Sequence, residues 1–323
     1  MDAQVAVIVP AYNAAATIIE TLSAILATTV EVEVLVVDDG STDDTAVLVA
    51  ELAEVDSRLS VIDLAHTGNP TIARMAGAQA TSAPFLTFCD ADDVWDRGFL
   101  EAMTAAFEHA HDAGLATSSF QTIDQAGNII DVTSYPQWVE EPMLPRRLHL
   151  VAAAVVDGRS AVTRLCFPPP AGVVIRRSVF DAAGGFDPKV HRSEDVECWI
   201  RLARLARVVH VPEARFSYRI SPGQRSQTTG RALGTIKMRT TVLFKCPTRT
   251  ELRHAVHGGM AFYATLARER LRAGFRDRSF GALRSGLLDA GVVGWLLLAG
   301  LAASLQKNDT RARRSVLGNS SPH

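Results

Sequence analysis

The regular alternation of apolar runs and amphipathic segments over residues 1–115 constrains the fold most. Short apolar runs typical of buried strands cover Val5–Pro10, Val34–Val37, Leu59–Leu64 and Phe85–Cys89. Segments with apolar residues at helical spacing follow them, at Thr17–Leu26, Asp43–Leu52, Thr71–Ala80 and Gly98–His111. Thr42 or Asp43 is the predicted N-cap of the second helix. This alternation with short connections predicts an α/β fold, a parallel sheet covered by helices on both faces.

The pattern changes after residue 115, where prolines mark a loop-rich insertion. Further elements are predicted at Val173–Ile175, Ser178–Ala183, Glu194–Leu205 and Val208–Val211. We therefore expect an α/β domain over 1–226, in halves 1–115 and 116–226, a helical region over 227–310, and a disordered tail over 311–323. The apolar segment Gly286–Leu305 fits packing in a core or against another copy, a position at a membrane surface or, least well, a membrane span. Its charge-free part falls short of the ~20 residues that a membrane-spanning helix needs.

Composition excludes several classes of protein. The 323 residues carry 33 Lys and Arg against 35 Asp and Glu, which argues against a general nucleic-acid binder. A hydrophobic content of 47% is too high for a disordered chain. The four cysteines form no C-x-x-C pair, so neither a zinc site nor a disulfide framework is predicted. A reducing, cytoplasmic setting and no secretory signal are expected.

Acidic clusters follow two of the predicted strands directly. Asp38 and Asp39 end the second strand, and Asp90, Asp92 and Asp93 follow the fourth. Parallel strands place their carboxyl ends at one edge of a sheet, so both clusters should face one crevice. Carboxylates at i and i+2 in a turn suit a hard cation such as Mg²⁺ or Mn²⁺. Phosphate oxygens usually complete the coordination shell of such a cation. The alternative is a solvated acidic turn that caps the next helix.

Other polar and aromatic residues stand at positions suited to ligand contact. Tyr12, just past the first strand, can stack on a planar base or simply pack, and Asn13 can order its loop. The Asp39 carboxylate can accept hydrogen bonds from a nucleobase or a ribose, while Gly40 permits a tight turn. Trp95 and Trp138 fit either sugar stacking or core packing.

The second half supplies candidates for proton transfer and phosphate binding. Glu194 and Asp195 open a predicted helix, where a carboxylate either acts as a general base or stabilises the helix N-terminus. Arg74 and Arg219 can bind phosphate in bidentate fashion or lie at the surface.

Taken in order, these segments resemble the family 2 glycosyltransferases of GT-A fold. The resemblance is carried by VIVPAYNAAATIIETLSAIL, VLVVDDGSTDDT, NPTIARMAGAQATSAPFLTFCDADDVW and GGFDPKVHRSEDVECWIRLA. It runs from about Val5 to Ser226 and is specific for the family, although it selects no substrate.

The resemblance implies a role for individual residues. Tyr12 would stack on the donor base, Asp39 would bind that base, usually uracil, and Arg74 would contact the nucleotide. The D-x-D element would contact the ribose through Asp90 and the metal through Asp92. In the E-D element Asp195 would be the catalytic base, with Glu194 beside it. The full donor-binding set is Pro10, Tyr12, Asn13, Asp39, Arg74, Asp90, Ala91, Asp92 and Arg219, and the metal set is Asp92 and Asp90.

Two departures from the family pattern bear on this assignment. Met75 stands where the family's A-R-N element has asparagine, which removes one polar contact. No histidine follows Tyr218-Arg219, so the third metal contact is unassigned, and His191 is the nearest substitute.

The resemblance implies an inverting glycosyltransferase that uses Mn²⁺ or Mg²⁺ and a nucleotide-sugar donor, with UDP the expected nucleotide. The hydroxyl acceptor would be a carbohydrate or a lipid-linked sugar, in polysaccharide, glycolipid or cell-envelope glycan synthesis. The expected location is the cytoplasm or the inner face of the plasma membrane, with the C-terminal helices contacting a membrane or a second copy.

Two alternatives stay open at this point. A sugar nucleotidyltransferase would need a glycine-rich, basic loop after the first strand, and Ala11–Ala15 has neither feature. A non-catalytic protein that binds nucleotide-sugars would keep the same fold.

Overall fold

The computed structural model describes residues 3–131, 154–156, 169–190 and 194–221. All of them belong to one compact unit, Met1–Ala161 with Leu165–Gln227. The second unit, Val162–Arg164 with Thr228–His323, lies outside the described residues, as do Trp138 and His191. The predicted helical region, the tail and the segment Gly286–Leu305 therefore stay predictions. Within the described residues, no helix has both the length and the apolar character to cross a membrane.

Strands and helices alternate through the first half and mix in the second. The strands are β1 Val5–Ala11, β2 Val32–Asp38, β3 Leu59–Asp63, β4 Phe85–Phe88, β5 Val94–Trp95, β6 Ala113–Ile123, β7 Ile129–Asp131, β8 Ala154–Val156, β9 Val173–Arg176 and β10 Arg207–Arg219. The helices are α1 Ile18–Leu26, α2 Thr45–Val55, α3 Pro70–Gln79, α4 Phe99–His109, α5 Arg177–Ala183 and α6 Glu194–Leu205.

These strands form one sheet, in which eight follow the order β3-β2-β1-β4-β9-β6-β10-β5, while β7 pairs with β6 and β8 pairs with β10. The first four are parallel, as the alternating pattern predicts. Strand β9 lies antiparallel between β4 and β6, while β6 and β10 are parallel neighbours. The second half of the sheet is therefore mixed. Antiparallel neighbours need no helical crossover, so the strand–helix alternation that identifies parallel strands is absent there.

Two elements differ from the predictions, each for a physical reason. Strand β6 was not predicted because its sequence, AGLATSSFQTI, is rich in small and polar residues, yet most of it is buried in the sheet. Helix α2 begins at Thr45 with Asp44 at the N-cap position, which corrects the prediction of Thr42 or Asp43. Asp43 nevertheless accepts the backbone N–H of Thr45 at 3.0 Å, so it satisfies one terminal donor of that helix.

Helix α3, which carries Arg74, packs closely on the sheet. A Cβ at Gly77 would lie 2.5 Å from Cγ2 of Ile8 in β1, so only glycine allows this approach. Trp95 belongs to the core, because it is 5% exposed, stacks on Phe99 and donates to the carbonyl of Ala171 at 2.9 Å. Core packing is therefore the correct one of its two predicted roles.

Candidate active site

The carboxyl ends of the parallel strands meet at one edge of the sheet. Tyr12 follows β1, Asp39 follows β2, the loop 66–68 follows β3, and Asp90 follows β4. Strands β2 and β4 flank β1, which puts the two acidic turns about two strand spacings, or ~10 Å, apart. Both acidic turns therefore lie at this edge of the sheet, where the sequence predicts the crevice.

Asp39 is buried and holds the loop after β3. Its Oδ1 accepts the backbone N–H and the hydroxyl of Thr67, both at 2.8 Å, and its Oδ2 accepts the N–H of Gly68 at 2.9 Å. The Nδ1 atom of His66 lies 3.3 Å from the same Oδ2 and 2.9 Å from the Asp39 carbonyl. Asp39 therefore fixes the wall of the crevice before any ligand contacts it.

The loops after β1 and β2 are fixed to each other by hydrogen bonds. Asn13 has a positive φ of 50°, and its Oδ1 accepts the N–H of Thr42 at 2.8 Å. The N–H of Asn13 in turn donates to Oγ of Ser41 at 2.9 Å. Beside this junction the Tyr12 ring is 45% exposed and stacks on the His66 ring, with centroids 4.2 Å apart. Tyr12 and His66 form an accessible aromatic surface.

Helix α1 and burial shape the D-x-D turn. The hydroxyls of Thr17 and Thr21 donate to the carbonyl of Ala91 at 2.8 and 3.1 Å, which fixes the turn from below. Burial, with the nearby charge of Asp90, raises the pKa of Asp92 to about 6. The turn therefore concentrates negative charge that a cation would offset.

Asp93 lies beneath this turn and is fully buried. Its Oδ1 accepts the N–H of Arg219 at 3.2 Å, and its Oδ2 has no hydrogen-bond partner among the described residues. Burial, followed by the charges of Asp92 and Asp90, raises the pKa of Asp93 well above its ordinary value. Within the described ranges no three His, Cys, Asp or Glu side chains form a metal-binding group. Asp90 and Asp92 supply carboxylate oxygens, the ligand type that Mg²⁺ prefers, and phosphate oxygens of a ligand would complete the shell of such a cation.

Arg219 is buried and contacts protein acceptors around the D-x-D turn. Its Nε donates to the Asp92 carbonyl at 2.9 Å, and its Nη2 donates to Glu20 at 2.6 Å. Its Nη1 donates to the carbonyls of Asp124 and Gln125 at 3.2 and 3.1 Å. The structure thus places Arg219 behind the turn, bonded to its backbone, rather than at the surface.

Arg74 joins the D-x-D turn to the E-D element. Its Nη2 donates to Oδ1 of Asp90 at 2.6 Å and its Nη1 to Oε1 of Glu194 at 3.1 Å. We call this arrangement the Arg74 bridge. Burial acts to lower the pKa of Arg74, but Asp90 and Glu194 outweigh burial and raise it. Residues 120 positions apart are thereby brought together at the crevice.

Helix α6 carries the predicted base and is anchored to the glycine pair before it. Arg201 binds Glu197 through both carboxylate oxygens and donates to the carbonyls of Ala183 and Gly185 at 2.5 and 2.7 Å. Asp195 is partly exposed in the first turn, next to Glu194.

Met75 packs against the same glycine pair. Its sulfur accepts the N–H of Phe186 at 3.3 Å, and a Cβ at Gly185 would lie 2.7 Å from that sulfur. The methionine that departs from the family pattern therefore fills a packing position between α3 and the loop before α6.

The structure adds site residues that the sequence reasoning did not select. These are His66, Thr67 and Gly68 around Asp39, and Glu20, which is paired with Arg219. The loop could have been found from its place after the third parallel strand, since every such strand end faces the crevice. Glu20 carried no signal, because its partner is 199 residues away in the sequence.

Comparison with known sequences gives a family match. Residues 6–157 match the family model described as Glycosyl transferase family 2. An uncharacterized glycosyltransferase of Nostoc sp. is 28% identical over 193 residues, 57% of this chain and 54% of that protein. The UDP-Glc:alpha-D-GlcNAc-diphosphoundecaprenol beta-1,3-glucosyltransferase WfgD of Escherichia coli is 28% identical over 168 residues, 52% of this chain and 65% of that protein. The chain thus spans about half the length of the first of these relatives.

Solved structures show the same architecture at low identity. S. aureus TarS 1-349 in complex with UDP-GlcNAc superposes with a TM-score of 0.63 at 17% identity, covering 93% of this chain and 81% of that one. The mannosyltransferase PcManGT from Pyrobaculum calidifontis, in complex with GDP-Man and Mn²⁺, superposes with a TM-score of 0.61 at 17% identity. The superposition covers 100% of this chain and 82% of that one.

The sheet, its crevice and these likenesses define a GT-A fold, the fold of nucleotide-sugar transferases. Within that class, the match to the family 2 glycosyltransferase model covers residues 6–157 and so includes both acidic strand ends.

Proposed function

We propose that this protein is an inverting, metal-dependent glycosyltransferase that moves a sugar from a UDP-linked donor to a hydroxyl acceptor. The Arg74 bridge carries this proposal, because it places the first turn of α6 directly beside the D-x-D turn. A predicted base and a predicted donor site thus line the same crevice. Holding two reactants in this way supplies much of the rate of a transfer reaction.

The donor nucleotide is assigned to the strand ends. The exposed Tyr12 ring, stacked on His66, offers a face for a nucleobase, and the loop fixed by Asp39 lies beside it. Asp90 and Asp92 would hold Mn²⁺ or Mg²⁺, which when bound offsets the charge that grows on the departing diphosphate. UDP is supported by the UDP-GlcNAc bound to TarS, and Mn²⁺ is supported by the ion bound to PcManGT, whose nucleotide is GDP.

In the transfer step the acceptor oxygen attacks the anomeric carbon. The new C–O bond forms as the bond from that carbon to the diphosphate oxygen breaks, and the bonding electrons leave with the diphosphate. Asp195 takes the proton of the acceptor hydroxyl. A single displacement inverts the anomeric centre, so one base suffices, unlike the carboxylate pair of retaining hydrolases.

We assign Arg219 a supporting part in donor binding. Its guanidinium fixes the backbone of Asp92 and the turn at Asp124 and Gln125, so it orients the metal-binding carboxylates from behind. For the acceptor, a carbohydrate or a lipid-linked sugar at the inner face of the plasma membrane is proposed. The acceptor printed in the name of WfgD, a diphosphoundecaprenol-linked sugar, supports that class.

Two experiments test this function. In a thermal-shift screen of nucleotide-sugars with and without Mn²⁺, a UDP-sugar should raise Tm in a Mn²⁺-dependent way. No shift with any nucleotide-sugar would contradict the donor assignment.

The second experiment tests the base. The variant Asp195→Asn should keep UDP affinity and lose transfer by about 10²–10⁴-fold. The control Asp181→Asn, at an exposed position of α5, should retain both. Transfer by Asp195→Asn at the wild-type rate would refute the base assignment. A wild-type protein that binds UDP but neither transfers nor hydrolyses sugar across an acceptor panel would favour a binding protein.

A further inference from the structure

Arg74 is the one side chain in the described ranges shown bonding to both the D-x-D turn and the E-D element. Its side chain is only 4% exposed, against 28% for Asp90 and 12% for Glu194. Its guanidinium also lies over the Phe186 ring, 5.6 Å from the ring centroid. Little of this group is open to a ligand, although the family resemblance assigns it to the nucleotide.

We propose that Arg74 is a positioning residue, which through Glu194 holds the catalytic base Asp195 at its working distance from the donor. This role rests on the proposed function, because it needs Asp195 to be the base. In a ligand-binding role Arg74 would contact the nucleotide. In the positioning role its main partners are protein carboxylates, and it acts on the acceptor side of the reaction.

The fixing of α6 shows why this contact matters. Arg201, further along α6 than the base, is oriented by Glu197 of the same helix and holds α6 to the Gly185 carbonyl of the preceding loop. The first turn is held to α3 by the bond from Arg74 to Glu194. Arg74 itself is well fixed, because α3 packs on β1 at Gly77 without room for a Cβ. A base displaced by ~1 Å can lose about 10²-fold in rate, so this bond controls the chemical step.

Charge gives the bridge a second effect. Asp90, Glu194 and Asp195 all act electrostatically on Arg74. Without the arginine these carboxylates would repel one another across the crevice, and the first turn of α6 would move away from the D-x-D turn. Loss of Arg74 should therefore be more severe than loss of the Glu194 charge alone, which leaves Arg74 paired with Asp90.

The test is a double-mutant cycle in the full chain with Arg74→Gln, Glu194→Gln and the double variant. UDP affinity is measured by calorimetry in the presence of Mn²⁺. Turnover is measured as UDP release from UDP-glucose and UDP-N-acetylglucosamine, with kcat and KM separated. We expect Glu194→Gln to bind UDP within about threefold of the wild type and to lose about 10–100-fold in kcat. The double variant should have a kcat no lower than that of Arg74→Gln.

A conservative variant and a matched pair complete the design. Arg74→Lys can keep one of the two ion pairs and should recover part of kcat. The exposed pair Arg207–Asp112, tested as Arg207→Gln and Asp112→Asn, should change neither UDP affinity nor kcat. A wild-type kcat in Glu194→Gln would overturn the positioning role. The role would also be overturned if Arg74→Gln lowered UDP affinity alone and its effect added to that of Glu194→Gln.

A stability cycle separates failure of this role from failure of the proposed function. The Tm of the same variants, without nucleotide, needs no activity. If the wild type binds UDP but releases none from UDP-sugars across a panel of acceptors, the proposed function falls, and the bridge is still tested by whether the two Tm losses are non-additive. Additive losses would show that Arg74 and Glu194 are not coupled and would overturn the inference.

Discussion

The α-carbon of Gly40 lies so close to His66 that a Cβ there would stand 2.9 Å from the His66 backbone nitrogen. Gly40 also has a φ of +72°, which other residues adopt at a cost. We therefore expect Gly40→Ala to displace the loop 66–68, to reduce stability by about 1–3 kcal/mol, and to weaken UDP binding. Urea denaturation and calorimetric titration with UDP measure the two effects.

A second glycine provides the control for that variant. Gly98, which precedes α4, has a φ of +80°, but a Cβ placed there meets nothing within 4 Å. Gly98→Ala should therefore show backbone strain alone, without a change in UDP affinity. Equal loss of UDP binding in both variants would show that the contact with His66 does not shape the site.

Asp39→Asn should loosen the same loop by another route. An amide cannot offer acceptors to all three groups that now bond to the carboxylate, which are the N–H and hydroxyl of Thr67 and the N–H of Gly68. The expected loss is about 1–3 kcal/mol of stability together with weaker UDP binding. Chemical denaturation and calorimetry report both. Asp63→Asn, at an exposed position at the end of β3, is the control and should change neither.

Arg219→Met should destabilise the protein and weaken Mn²⁺-dependent UDP binding. The change leaves the carbonyls of Asp92, Asp124 and Gln125 without these donors, and leaves Glu20 unpaired. Leaving buried acceptors without a donor typically costs about 1–3 kcal/mol, whereas the Glu20 side chain, 55% exposed, would be solvated. Arg215→Met, at an exposed position of the same strand, is the matched control. An Arg219→Met protein with wild-type stability and UDP affinity would contradict the supporting role.

His210 should give the folded protein a measurable pH dependence. Burial lowers the pKa of His210 to about 4, below the ordinary value of a histidine. The neutral form is thus favoured in the folded state, so its stability contribution is complete above about pH 6.5 and is lost as the pH falls towards 4. At most about 3 kcal/mol is involved.

The measurement is Tm between pH 4 and pH 7 for the wild type and His210→Gln. The variant should have a shallower loss of stability on acidification, whereas His109→Gln, at an exposed position of α4, should keep the wild-type slope. Identical slopes in the wild type and His210→Gln would show that His210 does not carry the effect.

The periodicity of the sequence was enough to predict the half of the sheet formed by β1 to β4, where strands and helices adjacent in the sequence pack together. Each of β1 to β4 is an apolar run, and helices separate these runs, so their parallel arrangement and the strand-end position of Asp39 and Asp90 follow from the chain alone. Strand β6 escaped prediction because its small and polar residues are buried by neighbours that lie far away in the sequence.

The sequence by itself determined the alternating strands, the acidic strand ends and the family resemblance, because each of these depends on residues that are adjacent in short segments of the chain. Only the tertiary structure decided that Arg74 lies between Asp90 and Glu194, that Asp39 holds the loop after β3, and that Arg219 bonds behind the D-x-D turn. Such pairings depend on the register and packing of elements up to 199 residues apart. No local pattern of residues encodes that arrangement.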